Sequence, residues 1–191
     1  MTNNIEIIEK HLTEASQVLL STVKLSAQIS EIADMAVKSL KAGGNIFWCG
    51  NGGSAADSQH LAAELIGRYK RDRKAISSIA LTTDTSILTA ISNDFGFEHV
   101  FSRQLEGLAR KGDLLIALST SGSSNSILNA LDKAKKCNVT SVLLTSNKYL
   151  GDQGDYVLRV ESNKTEQIQH AHIAIGHIIC ELIEELIFND K

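Results

Sequence analysis

Proline is absent from all 191 residues. Helix ends and turns must therefore rely on Gly, Asn, Asp and Ser, which cluster between the apolar runs. Cysteine is scarce: Cys49, Cys137 and Cys180 lie far apart and form no CxxC pair. That excludes a disulfide framework and a zinc knuckle, and leaves three small apolar residues in a reducing compartment. Neither sign of charge dominates. Lys and Arg total 19 against 22 Asp and Glu, for a net charge of -3, which gives no basis for a nucleic-acid partner. No run of about 18 apolar residues occurs, so no membrane span or membrane partner is expected. The start, Met1-Thr2-Asn3-Asn4 with Glu6 and Glu9 following, has neither the basic nor the apolar region of a secretory signal. A cytoplasmic location is the expectation.

What is present is an ordinary globular composition, 43% apolar and 21% charged, in a chain long enough for one compact domain. A site that needs many walls in so short a chain can borrow them from a second copy. Residues 4–41 read as helix, because Ile8, Leu12, Ala15, Leu19 and Val23 fall three or four apart, as do Ile32, Ala36, Val37 and Leu40. The segment is one helix or two with a break near residues 26–30, and Gly43-Gly44 ends it. Its high apolar content points to an oligomer contact.

Beyond it, five short apolar runs at 45–49, 76–81, 113–118, 140–145 and 156–160 show little alternation, as strands buried on both faces do. Helical stretches separate or follow them at about 55–68, 85–92, 98–110, 124–137 and 165–188. Strand and helix in alternation predict an α/β fold with a parallel sheet wrapped by helices.

Ligands of an open parallel sheet bind beyond the carboxyl ends of its strands. Two unusual loops lie there. Cys49-Gly50-Asn51-Gly52-Gly53-Ser54 follows the first strand, and its glycines let backbone approach a ligand ahead of a helix start. It is neither GxGxxG nor a Walker A sequence, and it also suits a plain tight turn. Ser119-Thr120-Ser121-Gly122-Ser123-Ser124-Asn125-Ser126 follows the third strand. A helix cap needs one hydroxyl; this loop has six, enough with helix amides to cradle a phosphate without a lysine.

His60 and Glu64 stand one turn apart on the helix after the Gly loop, able to reach one divalent metal or to orient one another. A surface ion pair has the same spacing. The last helix holds Gln169, His170, His172 and His177 in an otherwise apolar setting, where a histidine is also often a core residue. Gln169 and His177 are eight positions apart, about 12 Å along a helix, against metal bonds of about 2.0–2.3 Å. If both serve one site, either the helix starts after Gln169 or a second chain supplies one of them. The basic run 68–74 reads as a solvated turn, except Arg68 at the end of the His60 helix. Asn93 and Asp94 read as an Asx turn after a helix, or as contacts to sugar hydroxyls.

Taken together, Cys49-Gly50-Asn51-Gly52-Gly53-Ser54, Gln59-His60-Leu61-Ala62-Ala63-Glu64-Leu65, Gly67-Arg68-Tyr69, Asn93-Asp94-Phe95-Gly96, Phe101-Ser102-Arg103-Gln104, Ser119-Thr120-Ser121-Gly122, Ile168-Gln169 and His177 resemble the sugar isomerase (SIS) fold, and within it the phosphoheptose isomerases. The resemblance spans about residues 40–188. It implies a single SIS domain over 1–191, a five-stranded parallel sheet flanked by helices, with a helical extension over about 1–42. It implies a cytoplasmic homotetramer with active sites shared between subunits and one zinc ion per subunit. His60, Glu64, Gln169 and His177 match the family's zinc ligands, and Glu64 and His177 its proton-transfer pair. Asn51, Gly52, Gly53, His60, Glu64, Arg68, Asn93, Asp94, Ser119, Thr120, Ser121, Ser124 and Gln169 match substrate positions, with the serine loop taking the phosphate. The implied reaction interconverts sedoheptulose 7-phosphate and an aldoheptose 7-phosphate through an enediol, feeding nucleotide-activated heptose for lipopolysaccharide or capsule.

Three departures from the family pattern stand out: Glu166-Gln167 before Ile168-Gln169, no Gly-Gly pair in 146–151, and no proline before the last helix. A noncatalytic relative that binds a replication initiator lacks the acid and the histidine that this chain keeps. A sugar-phosphate-sensing regulator would need length for a DNA-binding module. An isomerase of a smaller sugar phosphate remains an alternative.

Overall fold

The computed structural model describes residues 3–189. Two helices lead the chain, α1 (Asn4–Ser21) and α2 (Ser26–Lys41), joined by a 3-10 turn at Thr22–Leu25. The break thus falls just before residues 26–30. Hydroxyls prepare it: Ser21, Thr22 and Ser26 bond back to the carbonyls of Val18, Leu19 and Val23, tightening the backbone there.

Five strands follow, β1 (Ile46–Gly50), β2 (Ser78–Ala80), β3 (Leu114–Leu118), β4 (Thr140–Ser146) and β5 (Tyr156–Val160). All pair in parallel, in the order β2-β1-β3-β4-β5. The connecting helices are α3 (Gly53–Ile66), α4 (Thr85–Phe95), α5 (Val100–Leu108) and α6 (Asn125–Lys136), and α7 (Thr165–Phe188) closes the chain.

The strands lack alternation because both their faces are covered. Ile46, Trp48, Leu114, Ile116 and Leu144 pack into one core with α2, α3 and α7. Phe47, Cys49, Leu115, Ala117 and Leu143 face the other way, against α5 and α6. The strand order reverses direction between β1 and β3, and at such a switch point the loops after the two strands diverge and leave a crevice. Here those loops are the Gly loop and the serine loop. Among the described residues, no helix is long and apolar enough to cross a membrane.

Candidate active site

Asn51 ties the two loops together. Its side-chain amide donates to Ser124 Oγ and Ser126 Oγ, both at 2.9 Å. Ser124 stands at the N-cap of α6 but its hydroxyl makes no capping bond, and Gly52 caps α3 with no side chain at all. Two helix starts therefore face one crevice without a capping side chain on their amides. The serine loop is folded by its own hydroxyls. Ser119 Oγ accepts from Gly122 N at 3.1 Å and Ser121 Oγ from Ser123 N at 3.2 Å. Gly122 has φ +68, and a methyl group there would meet the Tyr149 ring at 2.4 Å, so only glycine fits.

The resulting cleft, about 390 Å³, is lined by Asn51, Gly52, Gly53, Ser119, Thr120, Ser121, Ser124 and Gln169, with Thr165 beside them. Gln169 lies over the Gly loop: a methyl group at Gly53 would come 2.4 Å from its Nε2. Thr165 escaped the sequence reading. Its one signal was its place in the first turn of a helix that also carries Gln169.

A second group forms where α3 crosses α7. His60 Nε2 and Glu64 Oε1 are 3.0 Å apart, and one ligand atom from each of His60, Glu64 and His177 lies within 4.8 Å of the others. The His177 ring meets His60 edge-on at 4.9 Å and lies parallel to Tyr69, 10° apart in plane, at 5.4 Å. Burial pushes His177 below the ordinary histidine value; His60 adds to this and Glu64 opposes it. A neutral imidazole offers a lone pair to a metal or a proton. Two imidazoles and a carboxylate gathered within 4.8 Å form a candidate group for a divalent metal, and they are donors of the kind that zinc takes.

Gln169, expected as the fourth zinc ligand, lines the cleft between the Gly loop and the serine loop. Helix α7 is continuous from Thr165 to Phe188, so the helix does not start after Gln169. Its rigid rise holds Gln169 at that cleft, two turns from His177. Of the last helix's histidines, only His177 joins the group. His172 is a core residue: it is fully buried, its Nε2–H donates to Thr145 O at 3.2 Å, and burial lowers its pKa to about 4. His170 is exposed, edge-on to His11.

Three further expected residues line neither group. Arg68 is exposed past Gly67, where α3 has already ended. Asn93 and Asp94 are not in a turn but in the last turn of α4, exposed and bonded to each other at 2.8 Å. Helix α4 continues through them to Phe95 and is stopped by Gly96, with φ +93. The basic run is also corrected. Arg73, read as a solvated side chain, is buried against Glu184. The overlooked signal was an acid on the apolar face of α7, which a buried chain must pair with a cation.

A model of the SIS domain matches residues 11–146. The chain is 47% identical over 185 residues to the phosphoheptose isomerase of Akkermansia muciniphila, spanning 96% of this chain and 98% of that protein. It is 48% identical over 183 residues to phosphoheptose isomerase 1 of Campylobacter jejuni, spanning 95% and 98%. The solved phosphoheptose isomerase from Neisseria gonorrhoeae superposes with a TM-score of 0.88 at 36% identity, over 96% of this chain and all (100%) of that one.

Proposed function

The chain belongs to the phosphoheptose isomerases of the SIS domain family, and from that premise we propose that it interconverts sedoheptulose 7-phosphate and D-glycero-D-manno-heptose 7-phosphate. The observation that carries the chemistry is the convergence of His60, Glu64 and His177 within 4.8 Å. Moving a proton between C1 and C2 of a sugar requires a base at the carbon and an acid at the carbonyl oxygen. Glu64 is the base. His177 handles the oxygen proton or ring opening.

Zinc is the proposed cofactor, one ion per subunit, held by His60, Glu64 and His177, with Gln169 supplied by a second copy of the chain. When bound, it supplies a Lewis acid beside the carbonyl. Coordination by a metal would lower the basicity of Glu64, so its role as base calls for a carboxylate free of the ion or for an ion that is partly structural. Asn51, Gly52, Gly53, Ser119, Thr120, Ser121 and Ser124 bind the substrate, the serine loop with its uncapped α6 start holding the phosphate. Arg68, Asn93 and Asp94, which line neither group within one chain, are proposed as sugar contacts in a site shared with a second copy.

The working unit is a cytoplasmic homotetramer with shared sites, the whole of 1–191 acting as one SIS domain and about 1–42 as its helical extension. Exposed Ile5, Ile8, Leu12, Leu20 and Val23 on the first helix and the turn after it, and an α4 with no fully buried residue, support surfaces covered by other copies. The product feeds nucleotide-activated heptose for lipopolysaccharide or capsule. NMR of the purified protein with zinc and sedoheptulose 7-phosphate, a hexulose phosphate or a pentulose phosphate tests the assignment. The aldoheptose phosphate should form fastest; faster turnover of a shorter sugar would overturn it.

A further inference from the structure

His177 and Glu184 are seven positions apart on α7, so their side chains leave the same face two turns apart. Glu184 is 1% exposed and Arg73 is 2% exposed. The carboxylate is fully engaged. It accepts Tyr69 N at 2.9 Å, Lys70 N at 3.0 Å, Arg71 N at 3.2 Å and Arg73 Nε at 2.7 Å. The other guanidinium nitrogens of Arg73 donate to Glu64 O and Leu65 O, both at 2.8 Å, and to Lys74 O and Gly67 O at 3.1 and 3.3 Å. Arg73 thus caps the carbonyl end of the helix that carries His60 and Glu64, while Glu184 anchors the strap that follows.

Tyr69 sits in that strap between the two anchors. Its ring lies parallel to His177, while His60 meets His177 edge-on. The phenol oxygen has no hydrogen bond among the described residues, so what Tyr69 offers His177 is a ring face. An imidazole on a flexible side chain can bind a metal or deliver a proton only along its nitrogen lone pair, so ring orientation matters. We propose that Tyr69, pinned by the buried Arg73–Glu184 pair, is a positioning residue that sets the orientation of the His177 ring. This rests on the reading of His60, Glu64 and His177 as the metal and proton-transfer group.

Two variants separate the ring from the hydroxyl and from bulk packing. Tyr69→Phe keeps the ring; Tyr69→Leu keeps apolar volume and removes it, with Tyr69→Met as its substitute if the leucine protein does not fold. Zinc affinity is read by calorimetry on the full chain without sugar, and kcat and KM with sedoheptulose 7-phosphate. Tyr69→Phe should stay within about twofold of wild type on both, since the stacked face is retained. Tyr69→Leu should weaken zinc binding and lower kcat by roughly 10–100-fold, the usual effect of losing a partner that orients a metal ligand, with KM moving far less. Wild-type zinc binding and kcat in Tyr69→Leu would overturn the proposal, as would a Tyr69→Phe protein as impaired as Tyr69→Leu. The zinc arm keeps the two readings apart. A wild type that binds zinc but ignores the heptose phosphate refutes the substrate; weakened zinc binding in Tyr69→Leu would still support the positioning role.

Discussion

The two halves of the site are built by opposite means. The serine loop is held by short-range bonds between its own hydroxyls and amides, and by Asn51 across the switch point. The His60–Glu64–His177 group is held from behind, by a buried ion pair that joins residues more than a hundred positions apart, Arg73 and Glu184. The difference follows from the tasks. A phosphate carries diffuse charge and is bound alike in ground and transition states, so many adaptable donors suffice. Proton transfer to one carbon needs one geometry, and small displacements cost rate.

Substitutions on the two sides should therefore fail differently. After Glu64, the largest effect belongs to His177→Gln. Turnover should fall by about 10²–10⁴-fold, the usual contribution of a general acid or base, and zinc content should fall with it. Retained turnover measured in the same assay would separate His177 from the chemistry.

Next comes the support behind it. Glu184→Gln strands a buried guanidinium, and loss of one partner of such a pair costs about 3–5 kcal/mol in urea unfolding. The pH dependence has a definite sign. Burial alone would raise the Glu184 pKa, but the Tyr69 and Lys70 amides and the Arg73 guanidinium outweigh it and hold it below 4.5. A depressed folded pKa means stability that is present above the unfolded value and lost as pH falls through the folded one. Unfolding free energies measured from pH 6 downward should show that acid loss in the wild type and a shallower one in Glu184→Gln. Parallel curves would remove Glu184 from the acid response.

The smallest effect is expected in the loop. Ser121→Ala should raise KM about tenfold, as loss of one hydrogen bond to a charged group does, and leave kcat nearly unchanged. A fall in kcat at constant KM would move Ser121 out of the phosphate cradle and erase the contrast between the two halves.

Much of this was legible in the sequence because it is local. Five apolar runs gave five parallel strands, since continuous apolar stretches bounded by Gly, Asn and Ser leave few other folds. The i,i+4 spacing of His60 and Glu64 needed only a helix to bring them together. What escaped depends on distant partners or on fine backbone balance. Arg73 sits among five basic residues in seven and looks like its neighbours until Glu184 arrives from the far end of the chain. Asn93 and Asp94 have turn chemistry, yet α4 runs through them because Gly96, not the Asn-Asp pair, stops it. Gln169 matches a metal ligand by family resemblance alone, and the continuity of α7, which sequence spacing does not fix, keeps it two turns from His177.

The central claim is that Glu64 moves the proton, and one comparison tests it most directly: turnover of sedoheptulose 7-phosphate by wild type and by Glu64→Gln, both folded and both supplied with zinc. The account predicts aldoheptose phosphate from the wild type and a loss of about 10²–10⁴-fold or more in the variant. Turnover by Glu64→Gln at the wild-type rate would contradict it.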